Sequence, residues 1–202
     1  MKKYEFIGKT KEEAIEKALE ELNIAKENLI IKTLEEKNTL LKKNVKIEVI
    51  NYNDIIDSIK EDVIEITKLM GLTVNLEVRR REDNITIKIF SDHNAVLIGR
   101  NGSTIAALQT IIRQIVSNEI DNQISITLDV ENYKEKRVKN IEFLAKKTAR
   151  EVAKTKIETK LDSMNSYERR IVHSILSENK YVYTESIGEE PNRCVVIKPK
   201  ED

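Results

Sequence analysis

Two of this chain's five glycines stand three residues apart, in Val96-Leu97-Ile98-Gly99-Arg100-Asn101-Gly102, and an apolar helical pattern runs up to them and resumes beyond them. A chain with so few glycines has few places where the backbone can take a positive φ or be approached closely. Placing two of them at one helix-to-helix junction makes that junction a tight bend. The bend has a chemical use. With no side chains at Gly99 and Gly102, a sugar-phosphate backbone can lie against the main chain, and the amides opening the next helix point at its phosphates. Arg100 adds a charge-assisted contact and Ser103 or Thr104 a hydroxyl. Apolar walls between the helix pair and a strand through Ile85, Ile87 and Ile89 would hold a few unpaired bases. Two glycines at this spacing also make plain helix–helix turns, so the neighbourhood has to decide.

Upstream, Ile55, Ile59, Val63, Ile66 and Met70 recur at spacings of three and four, which predicts an amphipathic helix from Asp54 to Gly71. Val74, Leu76, Val78 and Ile85, Ile87, Ile89 alternate as strands, joined by a charged turn over Arg79–Asn84. Ile124, Ile126 and Leu128 give a further strand after the glycine bend. Residues 53–130 therefore read α-β-β-α-(G-x-x-G)-α-β. Before them, residues 1–52 read β-α-β-β. Tyr4 to Ile7 is a strand, and Thr10 caps a helix with Glu13 as its reciprocal partner, over Ala14, Ala18, Leu19 and Leu22. Two further strands, Leu29–Leu34 and one through Val45, Ile47 and Val49, are separated by a polar connection at 35–44, and a linker at 51–53 closes the segment. After them, residues 131–202 open with a long basic helix, Asn132 to Lys154, whose inward face carries Val138, Ile141, Leu144, Ala145, Thr148 and Val152. A weak strand near 156–161, a helix capped by Asn165 or Ser166, and strands at Tyr181–Glu185 and Arg193–Ile197 follow.

The formal net charge is zero, so any contact with a polyanion must be local. Lys and Arg minus Asp and Glu give about +1, −4 and +3 for the three segments in order. No apolar stretch approaches the roughly 18 residues of a membrane span, and no apolar region follows the first lysines, so a cytoplasmic chain without membrane insertion is expected. The single cysteine, Cys194, lies in an apolar run and reads as a buried strand residue. A catalytic reading finds no Walker-type phosphate loop, no HExxH and no cysteine placed with a histidine. His93 and His173 fall in different segments, and the carboxylates are scattered. No enzyme activity, catalytic residue, metal site or cofactor is expected. His93, between Asp92 and Asn94, reads as a capping-region residue.

A second constellation is Arg169 and His173, four apart and so on one side of a helix, with Arg170 beside them. A histidine gives a hydrogen bond and a stacking surface, and an arginine gives permanent charge for phosphate. The run Met164-Asn165-Ser166-Tyr167-Glu168-Arg169-Arg170-Ile171-Val172-His173 resembles the small single-stranded nucleic-acid-binding domain named for an Arg and a His separated by three residues. Its expected companion, Thr184-Glu185-Ser186-Ile187-Gly188-Glu189-Glu190-Pro191-Asn192-Arg193, lies downstream. The central segment resembles a KH domain of the bacterial type (type II), with Val96 to Gly102 as its signature.

In that order the three segments resemble the Jag family of bacterial RNA-binding proteins. The resemblance implies an α+β fold of three small domains: 1–52, a Jag-like β-α-β-β unit; 53–130, the KH domain; and 131–202, a small α/β Arg-xxx-His domain. It implies a regulator of cell elongation and envelope growth that binds single-stranded RNA, with a smaller KH protein as partner and self-association possible. Its RNA-contact residues would be Gly99, Arg100, Asn101 and Gly102, with Ser103 beside them, and Arg169 and His173, with Arg170. Two departures stand out. A Gly- and Phe-rich stretch usual in the N-terminal unit is replaced by Lys37-Asn38-Thr39-Leu40-Leu41-Lys42-Lys43-Asn44, and Cys194 stands where a basic residue would follow Arg193.

Two rival readings remain open: a protein-interaction adaptor with little RNA affinity, which the neutral charge and sparse aromatics favour, and single-stranded DNA as ligand of the last domain. For RNA, changing Gly99 and Gly102 to Asp is expected to abolish crosslinking without altering the far-UV CD spectrum. With about two to four neutralised phosphates, the log-log salt slope should be roughly −1.4 to −2.8, and a much steeper one would signal a further basic surface.

Overall fold

The computed structural model describes residues 1–38, 43–120 and 124–200. These form three three-stranded sheets within two compact units, residues 1–131 and 132–202.

The first unit begins with β1 (Tyr4–Gly8) and α1 (Lys11–Leu22). Thr10 Oγ1 accepts from the Glu13 amide at 3.2 Å. The Glu13 carboxylate reaches one residue further back than expected, to the amide of Lys9 at 2.9 Å. Ala14 and Ala18 are wholly buried, and their small side chains let α1 sit close on the sheet, where Phe6, Val45, Ile47 and Val49 complete the core. That sheet has the order β1-β3-β2, with β2 (Leu29–Asn38) and β3 (Lys43–Asn51) antiparallel. Both strands run into the stretch expected to be a polar connection, as far as the pair Asn38 and Lys43. Residues 39–42 lie outside the described residues, so the departure at Lys37–Asn44 is described only at its ends.

No linker follows β3. Asn51 is at once the last strand residue and the cap of α2 (Tyr52–Leu69), its side chain accepting from the Asn53 amide at 2.9 Å. An Asn at that position turns extended chain directly into helix, so no spacer is needed. Tyr52 is buried, its hydroxyl donates to Asp83, and the Arg80 guanidinium lies 3.7 Å from its ring centroid. Arg80 also donates to Asn28 Oδ1 at 2.6 Å and to the carbonyl of Glu27. One arginine thus ties the first sheet's segment to the hairpin that follows α2.

Burial, and then the bond to Asp83, push the Tyr52 phenol up to about 12. Because the folded value is raised, this stability is fully present below the ordinary value near 10 and is lost as the pH climbs from about 10 through about 12. A spectrophotometric titration should therefore find one tyrosine ionising last, together with loss of this joint. Replacing Tyr52 by Phe should remove that late step.

The hairpin is β4 (Val74–Arg81) and β5 (Asn84–Ser91). Its turn is only Glu82-Asp83, shorter than the expected 79–84, because Arg79 and Arg81 take strand positions on the exposed side while Arg80 turns to Tyr52. Then come α3 (Asn94–Ile98), the glycine bend, α4 (Ser103–Glu119) and β6 (Ser125–Val130). The sheet order is β4-β5-β6, with β6 parallel to β5. Ile85, Ile87, Ile89, Ile126 and Leu128 are essentially solvent-free, as are Ile55, Ile59 and Val63 of α2 and Ile112 of α4. Most of the period-three/four and period-two positions of the sequence are this core; Ile66 and the β4 residues Val74, Leu76 and Val78 are half-buried, Ile124 precedes β6, and Met70, expected on the inner face of the helix, caps α2 and is 38% exposed.

The second unit contains α5 (Tyr133–Thr155), β7 (Thr159–Lys160), α6 (Ser166–Leu176), β8 (Val182–Ile187) and β9 (Cys194–Pro199), with sheet order β7-β9-β8. Its core joins Ile141, Ala145, Ala149 and Val152 of α5 to Val172, Leu176, Val182, Val195 and Ile197. Leu144, expected inside, is exposed, and Ala149 faces the core. The buried stripe is centred on Ala145 and Val152, which leaves Leu144 at its edge. Cys194 is a buried strand residue. The whole is an α+β fold.

Candidate nucleic-acid interface

The glycine bend is built from three departures from right-handed backbone within four residues. Gly99 ends α3 at φ 71° and ψ −177°, Asn101 has φ 53° and Gly102 has φ 80° and ψ 15°. Positive φ favours glycine, with asparagine the best tolerated side chain, so the Gly-Arg-Asn-Gly order is the one the path demands. The Gly99 amide closes α3 onto the Ala95 carbonyl at 3.0 Å. The Gly102 amide donates to the Gly99 carbonyl at 3.3 Å, and that of Ser103 to the carbonyl of Arg100.

Those two amides are turned into the bend, so they are not aimed outward at phosphate as the sequence suggested. Gly102 is itself buried, and the part open to solvent is Arg100 and Ser103, with Gly99 and Asn101 half-exposed. The Arg100 side chain makes no hydrogen bond or ion pair among the described residues. A Cβ on Gly99 would fall 2.1 Å from Thr104 Oγ1 and 2.9 Å from the Thr104 amide nitrogen. Gly99 is therefore required by the protein's own packing, and the Gly-to-Asp double variant would disturb the fold, contrary to the expectation of an unchanged CD spectrum.

The expected groove wall also differs. Ile85, Ile87 and Ile89 are at 0% exposure in the central strand, so they form the floor under the helices and cannot touch a ligand. The open apolar group beside the bend is Val96, at 52%. Alternation alone could not separate a groove wall from a strand covered by helices. His93 precedes α3 without a side-chain cap bond; Asn94 instead accepts from the Ser91 amide at 3.1 Å.

In the second unit, α6 opens with a full capping box. Asn165 Oδ1 accepts from the Glu168 amide at 3.0 Å, and Glu168 Oε2 accepts from the Asn165 amide at 3.1 Å. Glu168 is buried and also accepts from Arg137 Nε at 2.8 Å. Arg169 is only 7% exposed. Its Nη1 donates to the Met164 carbonyl at 2.8 Å and to Glu190 Oε1 at 2.7 Å. Glu190 belongs to the downstream companion run, and nothing in the sequence spacing marked it as Arg169's partner. Arg170, by contrast, is exposed, and its side chain makes no hydrogen bond or ion pair among the described residues.

His173 is held by both ring nitrogens, Nδ1 to Thr184 Oγ1 at 2.7 Å and Nε2 to Ser186 Oγ at 2.8 Å. These hydroxyls are two apart on β8 and so on one sheet face, a signal readable in Thr184-Glu185-Ser186. Burial, and then the charge of Arg169, lower the His173 pKa, so the ring is neutral at pH 7. A neutral ring donates once and accepts once. In either tautomer, one hydroxyl keeps its proton for a ligand and the other offers lone pairs, a donor beside an acceptor.

Because the folded pKa is depressed, the associated stability is present above the ordinary histidine value near 6.5 and is lost as the pH falls from there through the folded value. Acidification from pH 7 should thus loosen the second unit, and His173→Asn should flatten that part of a stability-versus-pH curve.

These features match known proteins segment by segment. A model described as Jag N-terminus matches residues 6–50, one described as KhpA/KhpB, KH domain matches 55–130, and the model of the Arg-xxx-His domain matches 139–199. RNA-binding protein KhpB of Clostridium symbiosum is 34% identical over 96% of this chain and 90% of its own length. The chain belongs to the KhpB, or Jag, family. The KhpB of Bacillus subtilis is 31% identical over 96% of each chain, and that of Lactiplantibacillus plantarum is 34% identical over 67% of this chain and 42% of its own. The three matched segments follow one another along the chain, and the second and third of them contain the glycine bend and the Arg169–His173 helix. Among the described residues no helix is long and apolar enough to cross a membrane, and no cluster of His, Cys, Asp and Glu could hold a metal ion.

Proposed function

We propose that the chain binds single-stranded RNA through two surfaces. The first is the bend at Gly99, Arg100, Asn101 and Gly102, with Ser103 at its edge. The second is the α6–β8 face of Arg169, Arg170 and His173. The observation that carries this reading is Arg100, an exposed cation whose side chain has no internal partner among the described residues, carried on a bend with three positive-φ positions. A guanidinium with no internal partner can turn both edges of its fork to a phosphate without breaking a bond within the protein. On the second surface, Arg170 supplies the free charge. Arg169 fixes the helix start to Glu190, and His173 fixes the two β8 hydroxyls that would hydrogen-bond sugar or base. That the relatives are named RNA-binding proteins supports RNA as the ligand.

The finer role follows from the family resemblance: a cytoplasmic regulator of cell elongation and envelope growth, without catalysis, working with a smaller KH protein or with a second copy of itself. Ultraviolet crosslinking of the full chain to labelled oligouridylate at low salt tests the first claim, with oligodeoxyuridylate as competitor to separate the sugars. Absence of any crosslink, together with a protein partner that survives RNase treatment in a pull-down, would replace this reading by the adaptor one.

A further inference from the structure

The most exposed aromatic side chain in the second unit is Phe143, at 70%, in the middle of α5 and outside both surfaces already described. A single exposed phenylalanine is ordinary, but its setting is not. One helical turn to either side stand Lys139 and Lys147, and two turns away Lys136 and Arg150, with Lys154 beyond them. Residues four and seven apart share a face, so the ring sits in a row of cations. Across its length α5 carries eight Lys and Arg against three Glu. Lys139 is paired with Glu135 at 2.6 Å. Lys136, Lys147, Arg150 and Lys154 make no ion pair among the described residues. In a chain of zero net charge this is a concentrated positive strip, complementary to a polyanion.

We propose that this outer face of α5 is a third nucleic-acid contact surface, in which Phe143 stacks on an unpaired base while Lys136, Lys147 and Arg150 neutralise the flanking phosphates. A planar ring between cations is what single-strand binding combines, stacking for every base and charge for the backbone. In a duplex the base faces are already stacked, so the ring selects single strands. The inference rests on the RNA-binding reading and extends it. It also changes the salt dependence, because three added phosphates take the slope beyond the two-to-four-phosphate range to steeper than about −2.8.

The test is fluorescence anisotropy of fluorescein-labelled oligouridylate with the full chain over a salt series. The triple variant Lys136→Gln/Lys147→Gln/Arg150→Gln should make the slope shallower by about 2. Phe143→Ala should weaken binding about fivefold or more at unchanged slope, and Phe143→Trp should restore it. All four positions are exposed, so far-UV CD and melting should not move. Wild-type binding with the triple and Phe143→Ala variants unaffected would overturn the α5 surface and leave the two-surface reading standing. A wild type that binds no oligouridylate at low salt would remove both. If Phe143→Ala instead abolished co-sedimentation with phosphatidylglycerol vesicles while RNA binding held, the face would be a membrane contact and the proposal wrong.

Discussion

Replacing Arg100 and Asn101 together by Asp should abolish crosslinking to single-stranded RNA at the first surface and weaken overall affinity by roughly 150-fold, about 3 kcal/mol, while the fold survives. Like charges brought together across an interface cost several kcal/mol, and this variant turns one attractive group into two repulsive ones. It leaves the main chain alone. Arg100 is exposed, and Asn101, at φ 53°, occupies a conformation that aspartate also tolerates. Gly99→Ala, by contrast, must push its Cβ into Thr104 and should cost about 1–3 kcal/mol of stability by itself. Crosslinking and thermal melting of the two variants separate ligand contact from backbone geometry. An Asp pair that still crosslinks like wild type would remove the bend from the binding surface.

Arg169→Ala should lower the stability of the second unit by about 2 kcal/mol, which for a unit of this size moves the melting midpoint by roughly 8–16 °C. The ion pair itself contributes little, because Glu190 is more than half exposed and solvent screens it. The larger cost is the Met164 carbonyl, which loses the guanidinium hydrogen bond at 2.8 Å, together with the packing of a long, buried side chain. Arg170→Ala should leave melting unchanged and reduce RNA affinity only. A wild-type midpoint in Arg169→Ala, measured by calorimetry, would contradict the structural role given to Arg169.

The contrast between Arg169 and Arg170 shows where the sequence was legible and where it was not. Periodicity placed the elements well. The stripe Ile55, Ile59, Val63 and the alternation Ile85, Ile87, Ile89 are core residues of α2 and β5, and the Asn165–Glu168 box starts α6. What local pattern cannot carry is the identity of a partner brought in from elsewhere. Arg169's carboxylate comes from 21 residues away, and Arg80 reaches back 52 residues to Asn28, so a run of three arginines looked like a charged loop when it was strand. The bend was recognisable from its two glycines. Which of its amides point inward, and that Gly102 is buried, follow from the packing of α4 beneath it. Phe143 was visible only once the register of the α5 stripe was known.

Because β3 passes into α2 without a single spare residue, and Arg80 with Tyr52 clamps the same junction, the N-terminal sheet is a stiff handle on the part of the molecule that carries Arg100. A partner that seizes this handle would act on the proposed Arg100 surface as well as tether the chain.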